Sequence, residues 1–222
     1  NLHLETDDDP RTRQFIDEHN RVSDAAFRTA EFARDRDAIK ALIERQDRLI
    51  VPMRRGAWLF DFRQSKDNPL GVWLRLPADQ EPLPDAGWEQ VFDLDAFCIR
   101  EGKRWNWRGV VTCPWEPTRV LLTLSDGGSD LLRLLEFDAE RKEIVEGGFD
   151  TPAARSHANW LSRDEICYFG SIDRFSATRS GWPRVGRRLK RGQRPEDAAI
   201  MFEAADEDVY GFNLIIDPAL SG

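Results

Sequence analysis

The chain has 222 residues, 41% of them hydrophobic and eight of them tryptophan, enough for one large or two small packed domains. Its formal net charge of −8 argues against a nucleic-acid surface, and no apolar run reaches membrane-spanning length, so neither nucleic acid nor membrane is expected as a partner. Cys98, Cys113 and Cys167 are far apart and form no CxxC pair, which reads as free thiols of a reducing compartment and predicts a cytoplasmic location.

Asp9 is placed to cap a helix whose first turn holds Pro10, and Phe15, His19, Val22 and Ala26 follow at helical spacing. A second helix reads from Asp35 to about Gln46, with Ile39, Leu42 and Ile43 on one side. Residues 1–48 are therefore expected to be helical, and residues 49–222 to be β-structure. Trp58-Leu59-Phe60-Asp61-Phe62 and Gly71-Val72-Trp73-Leu74-Arg75-Leu76 form a first hairpin, and Trp88 to Phe97 reads as a strand followed by a turn. Trp105-Asn106-Trp107 opens a second unit. Its centre is Val120 to Asp138, where two apolar runs flank the turn Ser125-Asp126-Gly127-Gly128-Ser129-Asp130. Both strands of that hairpin are apolar on both faces, so both faces are expected to be covered. Ile144 to Phe149 ends the unit.

Asn159-Trp160-Leu161 starts the third unit, with Glu165 to Phe169 and Trp182 to Leu189 as its hairpin. Ala199 to Phe202 and Gly211 to Ile216 read as the start of a fourth. The returning strands near Trp73, Arg133 and Arg187 recur at roughly fifty to sixty residues, the period of four-stranded propeller blades. The expected fold is mainly β, a partial propeller of about three four-stranded antiparallel blades preceded by two α-helices. The blades lie near 49–97, 98–150 and 151–195, with a fourth beginning over 196–222.

The candidate chemistry is sparse. A hydrolase elbow needs G-x-S-x-G between a strand and a helix. Gly127-Gly128-Ser129-Asp130-Leu131 lacks the second glycine and sits between two strands, so a hairpin turn is expected. His3, His19 and His157 accompany no such serine, and Cys and His are scattered without ligand spacing, so no catalytic triad, metal or cofactor is expected. Asp7-Asp8-Asp9 reads as a solvated run at a helix N-terminus, where the helix dipole favours acid. Arg184, Arg187, Arg188, Lys190, Arg191 and Arg194 form the one basic cluster, read as an exposed strand face and loop. Trp58, Trp73, Trp105, Trp107 and Trp160 are expected to pack between blades.

The order of motifs resembles the N-terminal part of the prolyl oligopeptidase family of serine peptidases, including oligopeptidase-B-like and bacterial members. The resemblance is carried by Leu4-Glu5-Thr6-Asp7-Asp8-Asp9-Pro10-Arg11-Thr12, Phe60-Asp61-Phe62, Gly71-Val72-Trp73-Leu74-Arg75, Trp88-Glu89, Asp93-Leu94-Asp95 and Trp105-Asn106-Trp107. It continues through Leu124 to Asp130, Arg133, Glu136-Phe137-Asp138, Gly148-Phe149 and Ser180-Gly181-Trp182-Pro183-Arg184. It implies a helical segment that packs on a C-terminal α/β-hydrolase domain, and a seven-bladed propeller that covers the active site. This chain would hold the helical segment and about three blades, with the remaining blades and the catalytic domain outside it. Its expected role is gating, admitting short peptides to a triad the chain itself does not carry. The resemblance also aligns Arg155, in the loop Arg155-Ser156-His157, with a position where better-known members carry an aromatic that faces the peptide. The partners so implied are a short peptide and the missing hydrolase domain. The apolar blade faces left uncovered, Trp58, Phe60 and Phe62 near one end and Met201, Phe202, Phe212, Leu214 and Ile216 near the other, predict self-association of the chain. A non-enzymatic propeller-like interaction module is the alternative.

Overall fold

The computed structural model describes residues 2–5, 9–45 and 50–208. The chain divides into two compact units, Asn1–Leu49 and Ile50–Gly222.

In the first unit, α1 (Pro10–Phe27) begins as the sequence predicts. Asp9 accepts from Arg11 N at 2.9 Å, and Pro10 occupies the first turn, where its missing N–H costs nothing. The Arg11 guanidinium folds back onto the same carboxylate, and these hydrogen bonds pull Asp9 down to about 2. Helix α2 (Ala30–Ile43) starts five residues before the expected Asp35, because Thr29 rather than a later residue is the cap and accepts from Phe32 N at 3.2 Å. Gln46, the expected end, lies outside the described residues, as do Thr6, Asp7 and Asp8.

The second unit consists of three four-stranded antiparallel sheets, each a meander in chain order. The first holds β1 (Met53–Arg55), β2 (Trp58–Arg63), β3 (Val72–Pro77) and β4 (Glu89–Asp93). The second holds β5 (Trp105–Cys113), β6 (Glu116–Asp126), β7 (Leu132–Asp138) and β8 (Glu143–Ile144). The third holds β9 (Ser156–Trp160), β10 (Glu165–Gly170), β11 (Val185–Lys190) and β12 (Ala199–Glu203).

The sheets pack face to face, and the central hairpin shows why its strands are apolar on both sides. Val120, Leu122, Leu124, Leu135 and Phe137 enter the core shared with the first sheet. Their neighbours Leu121 and Leu134 point the other way, into the core shared with the third. Period-two alternation thus gives one strand pair two buried faces. The first strands of successive sheets adjoin: Arg55 Nε donates to Thr112 Oγ1 at 2.8 Å, and Trp160 Nε1 donates to the Val111 carbonyl at 3.0 Å.

Two elements depart from the sequence reading. The turn expected after Asp93 is a helix, α3 (Leu94–Glu101), capped by Asp93, which accepts from Ala96 N at 2.8 Å, and ended by Gly102 in the left-handed region. Leu94, Phe97 and Cys98 bury its inner face. Ala199–Glu203 does not begin a fourth unit. Arg188 pairs with Ala199 and Val185 with Glu203, so it is the closing strand of the third sheet. The connection Arg191 to Asp197 is the turn that brings it back. The other half of that expectation, Gly211 to Ile216, lies outside the described residues.

Candidate functional site

The three residues picked from sequence do not converge. Arg155 sits at the mouth of β9, and strand alternation sends its successors to opposite faces. Ser156 is buried toward the second sheet, where its Oγ donates to the Leu132 carbonyl at 3.0 Å. His157 lies on the other face, stacked on Phe169 with ring centroids 4.8 Å apart. Of the three, Arg155 lines a cavity. That cavity has a volume of about 600 Å³ and lies between the β6–β7 turn (Ser129, Asp130, Leu131) and the β10–β11 loop (Ser171, Ala177, Gly181).

The β6–β7 turn is a hairpin turn, as its glycines predict. Gly127 and Gly128 take φ of 58° and 88°, open to glycine without strain. Ser129 Oγ donates to the Asp126 carbonyl at 2.7 Å and accepts from Leu131 N at 3.2 Å. Ser129 is thus held by its own turn, with no helix behind it. Among the described residues no group of three His, Cys, Asp or Glu side chains could hold a metal ion. Nor is any helix among them long and apolar enough to cross a membrane. Cys98, Cys113 and Cys167 are free and buried.

The arginines of the basic cluster make separate contacts within the chain. Arg184 pairs with Glu203 at 2.9 Å, Arg188 with Glu165 at 2.6 Å and Arg194 with Asp197 at 3.0 Å. Arg187 is buried and donates to the Ala198 carbonyl at 3.3 Å. Arg191 reaches Asp164 at 3.1 Å and also Glu136, a carboxylate fully buried in the second sheet. Burial works against the charge of Arg191, but hydrogen bonds to Glu136 and Asp164 outweigh it and raise its pKa. Glu136 meets Arg119 at 3.1 Å as well and accepts from Phe149 N at 2.9 Å, so it links the second sheet to the third.

The motif residues turn out to be fasteners of the same kind. Asp95 accepts from Leu70 N and Gly71 N and ties the β2–β3 loop to α3. Arg133 joins Glu101 at 2.7 Å and Asp150 at 2.7 Å. Arg75 reaches from the first sheet to Glu140 and the Ala139 carbonyl of the second, both at 3.0 Å. The tryptophans pack as expected: Trp73, Trp105 and Trp160 are buried, and Trp107 stacks on Phe62 at 4.5 Å.

Face-packed, four-stranded meanders joined in chain order, with first strands adjoining, are blades of a β-propeller. The family model described as "Prolyl oligopeptidase, N-terminal beta-propeller domain" matches residues 2–217, and the chain belongs to that family. It is 27% identical over 196 residues to an uncharacterized peptidase of Rickettsia prowazekii, covering 85% of this chain and 27% of that protein. It is 28% identical over 169 residues to an uncharacterized peptidase of Sinorhizobium fredii, covering 76% of this chain and 23% of that protein. The chain thus spans about a quarter of the length of these curated relatives. Among solved structures it superposes on a post-proline cleaving enzyme from Rickettsia typhi with a TM-score of 0.82 and 25% identity, covering 93% of this chain and 31% of that one. Oligopeptidase B from Leishmania major shares the fold at a TM-score of 0.67 and 18% identity, over 89% of this chain and 26% of that one.

Proposed function

We infer that this chain is the substrate-access portion of a prolyl-oligopeptidase-like serine peptidase that hydrolyses short peptides. The observation that carries the reading is the close superposition, over 93% of the chain, on an enzyme described as post-proline cleaving. In this reading residues 1–48 are a helical segment that docks on a hydrolase domain of the same protein. Residues 49–222 are blades that restrict access to its nucleophile. Exposed Phe15, Val22 and Phe27 on α1, and Ile39, Leu42 and Ile43 on α2, supply apolar surface for such docking. The hairpin setting of Ser129 supports placing the nucleophile elsewhere in the protein. Arg155, which opens onto the cavity, is the residue of its loop suited to meet a peptide, while Ser156 and His157 orient the strand behind it. Three free thiols support a cytoplasmic location.

The test is hydrolysis by the product of the whole gene. It is expected to cleave short chromogenic peptides containing proline or arginine and to spare the same sequence inside a folded protein. The 222-residue chain alone is expected to cleave neither. Hydrolysis by the chain alone, or none by the whole gene product, would overturn the reading.

A further inference from the structure

The cavity beside Arg155 is built around a guanidinium held from one side and open on the other. Nη1 donates to the carbonyls of Ser180 at 3.3 Å and Gly181 at 3.4 Å. The backbone at Gly181 has φ +82°, and a Cβ there would stand 2.5 Å from Nη1, so glycine is what leaves this seat open. The main chain is fixed too, because the Arg155 carbonyl accepts from Ser171 N at 3.0 Å.

Nη2 reaches toward Asp130 at 4.0 Å. That aspartate is 81% exposed, and a solvated pair at this distance contributes little and exchanges readily. Asp130 is the one carboxylate among the described residues lining the cavity, and half-exposed Leu131 and Ala177 supply apolar wall beside it. An arginine already ordered, with a weak and displaceable partner, loses little conformational freedom on binding a carboxylate, and its Nη2 is left to donate to it.

We propose that this cavity is a subsite for an acidic side chain of a bound peptide, in which Arg155 exchanges Asp130 for the carboxylate of a glutamate or aspartate. Leu131 and Ala177 receive the aliphatic stem. The peptide as ligand rests on the peptidase reading above; the preference for acid rests on Arg155, Gly181 and Asp130.

Calorimetric titration of the product of the whole gene with a blocked tripeptide centred on glutamate, and with its glutamine counterpart, tests the proposal. The glutamate peptide is expected to bind at least about tenfold more tightly, the scale of one hydrogen bond to a charged group. Arg155→Gln is expected to abolish that preference. Asp130→Asn, a change in an exposed turn, is expected to strengthen glutamate binding a few-fold without affecting the glutamine peptide. Equal affinity for the two peptides, including none for either, overturns the proposal, as does a preference that survives in Arg155→Gln. Failure of the peptidase reading looks different. Arg155-dependent glutamate binding with no hydrolysis by the whole gene product removes that reading and keeps the subsite. Hydrolysis of neutral proline peptides with no acid preference does the reverse.

Discussion

Between the first and second sheets the contact is aromatic. Phe62 stacks on Trp107 at 4.5 Å, Phe92 meets Phe137 edge-on at 5.4 Å, and Trp73, itself stacked on its sheet neighbour Phe60, lies 5.7 Å from Trp107. Two arginines sit against these rings: Arg55 lies over Phe60 and Trp73, and buried Arg75 lies over Trp58 and bonds across to Glu140. Between the second and third sheets the aromatics are fewer, Phe149, Trp160 and Tyr168, and a buried carboxylate, Glu136, takes their place with arginines from both sides. The cavity at Arg155 lies beside this second seam. The difference teaches how a repeated unit can carry a site. One interface is closed by large rings that fill space without needing partners. The other is held by directional bonds, whose geometry fixes where neighbouring loops stand.

Breaking the aromatic seam should have the largest effect. Trp73→Ala empties space beside Phe60, Trp107 and Phe137 and is expected to cost about 4 kcal/mol in urea unfolding. A loss under about 1 kcal/mol would mean that the rings do not seal the seam. Glu136→Gln comes next. It leaves Arg119 and Arg191 without their shared buried charge, and about 3 kcal/mol should be lost. Arg191→Met should recover part of that loss in the double variant. If the two losses merely add, Glu136 and Arg191 are not coupled and the second seam is not ionic.

How far this contrast was legible depends on the kind of contact. The apolar positions on both sides of Val120 to Leu124 announced a sheet covered twice, because alternation is local and has a fixed period. Helix α3 was missed because eight residues barely exceed two turns, and Asp93-Leu94-Asp95 reads equally well as a turn. The expectation that Ala199 to Phe202 opens the next unit fails because sequence order alone does not say on which side of a connection a blade closes. Arg155 entered through the family resemblance, but Asp130 and Gly181 did not join it. They come from two loops whose approach depends on how the second and third sheets pack, and nothing local in either loop records that. The arginines after Pro183 read as one patch along the chain, yet Arg184, Arg188 and Arg191 each pair with a different carboxylate across strands, and Arg194 pairs within its own turn.

Smaller effects sharpen the comparison. At Gly71 a Cβ would stand 2.4 Å from Phe62 Cζ, with φ at +112°. Gly71→Ala should therefore push Phe62 off Trp107 and cost about 2 kcal/mol, visible as a change in tryptophan fluorescence. An unchanged spectrum and stability would show that the ring contact is slack. The last effect belongs to the second seam and shows itself only at high pH. Burial pushes the Tyr168 phenol up to about 12 from 10.0. A raised folded pKa means that its contribution is full below about 10 and is lost as pH rises toward about 12. Wild type should lose more stability than Tyr168→Phe over that window. Parallel curves for the two proteins would place the phenol in water.

The central claim, that this chain governs access to a nucleophile it does not carry, is tested most directly by mapping a fluorophosphonate label on the product of the whole gene by mass spectrometry. The account expects one labelled serine outside these 222 residues and none within them, Ser129 included. A label on Ser129, or on any other serine of this chain, would contradict it.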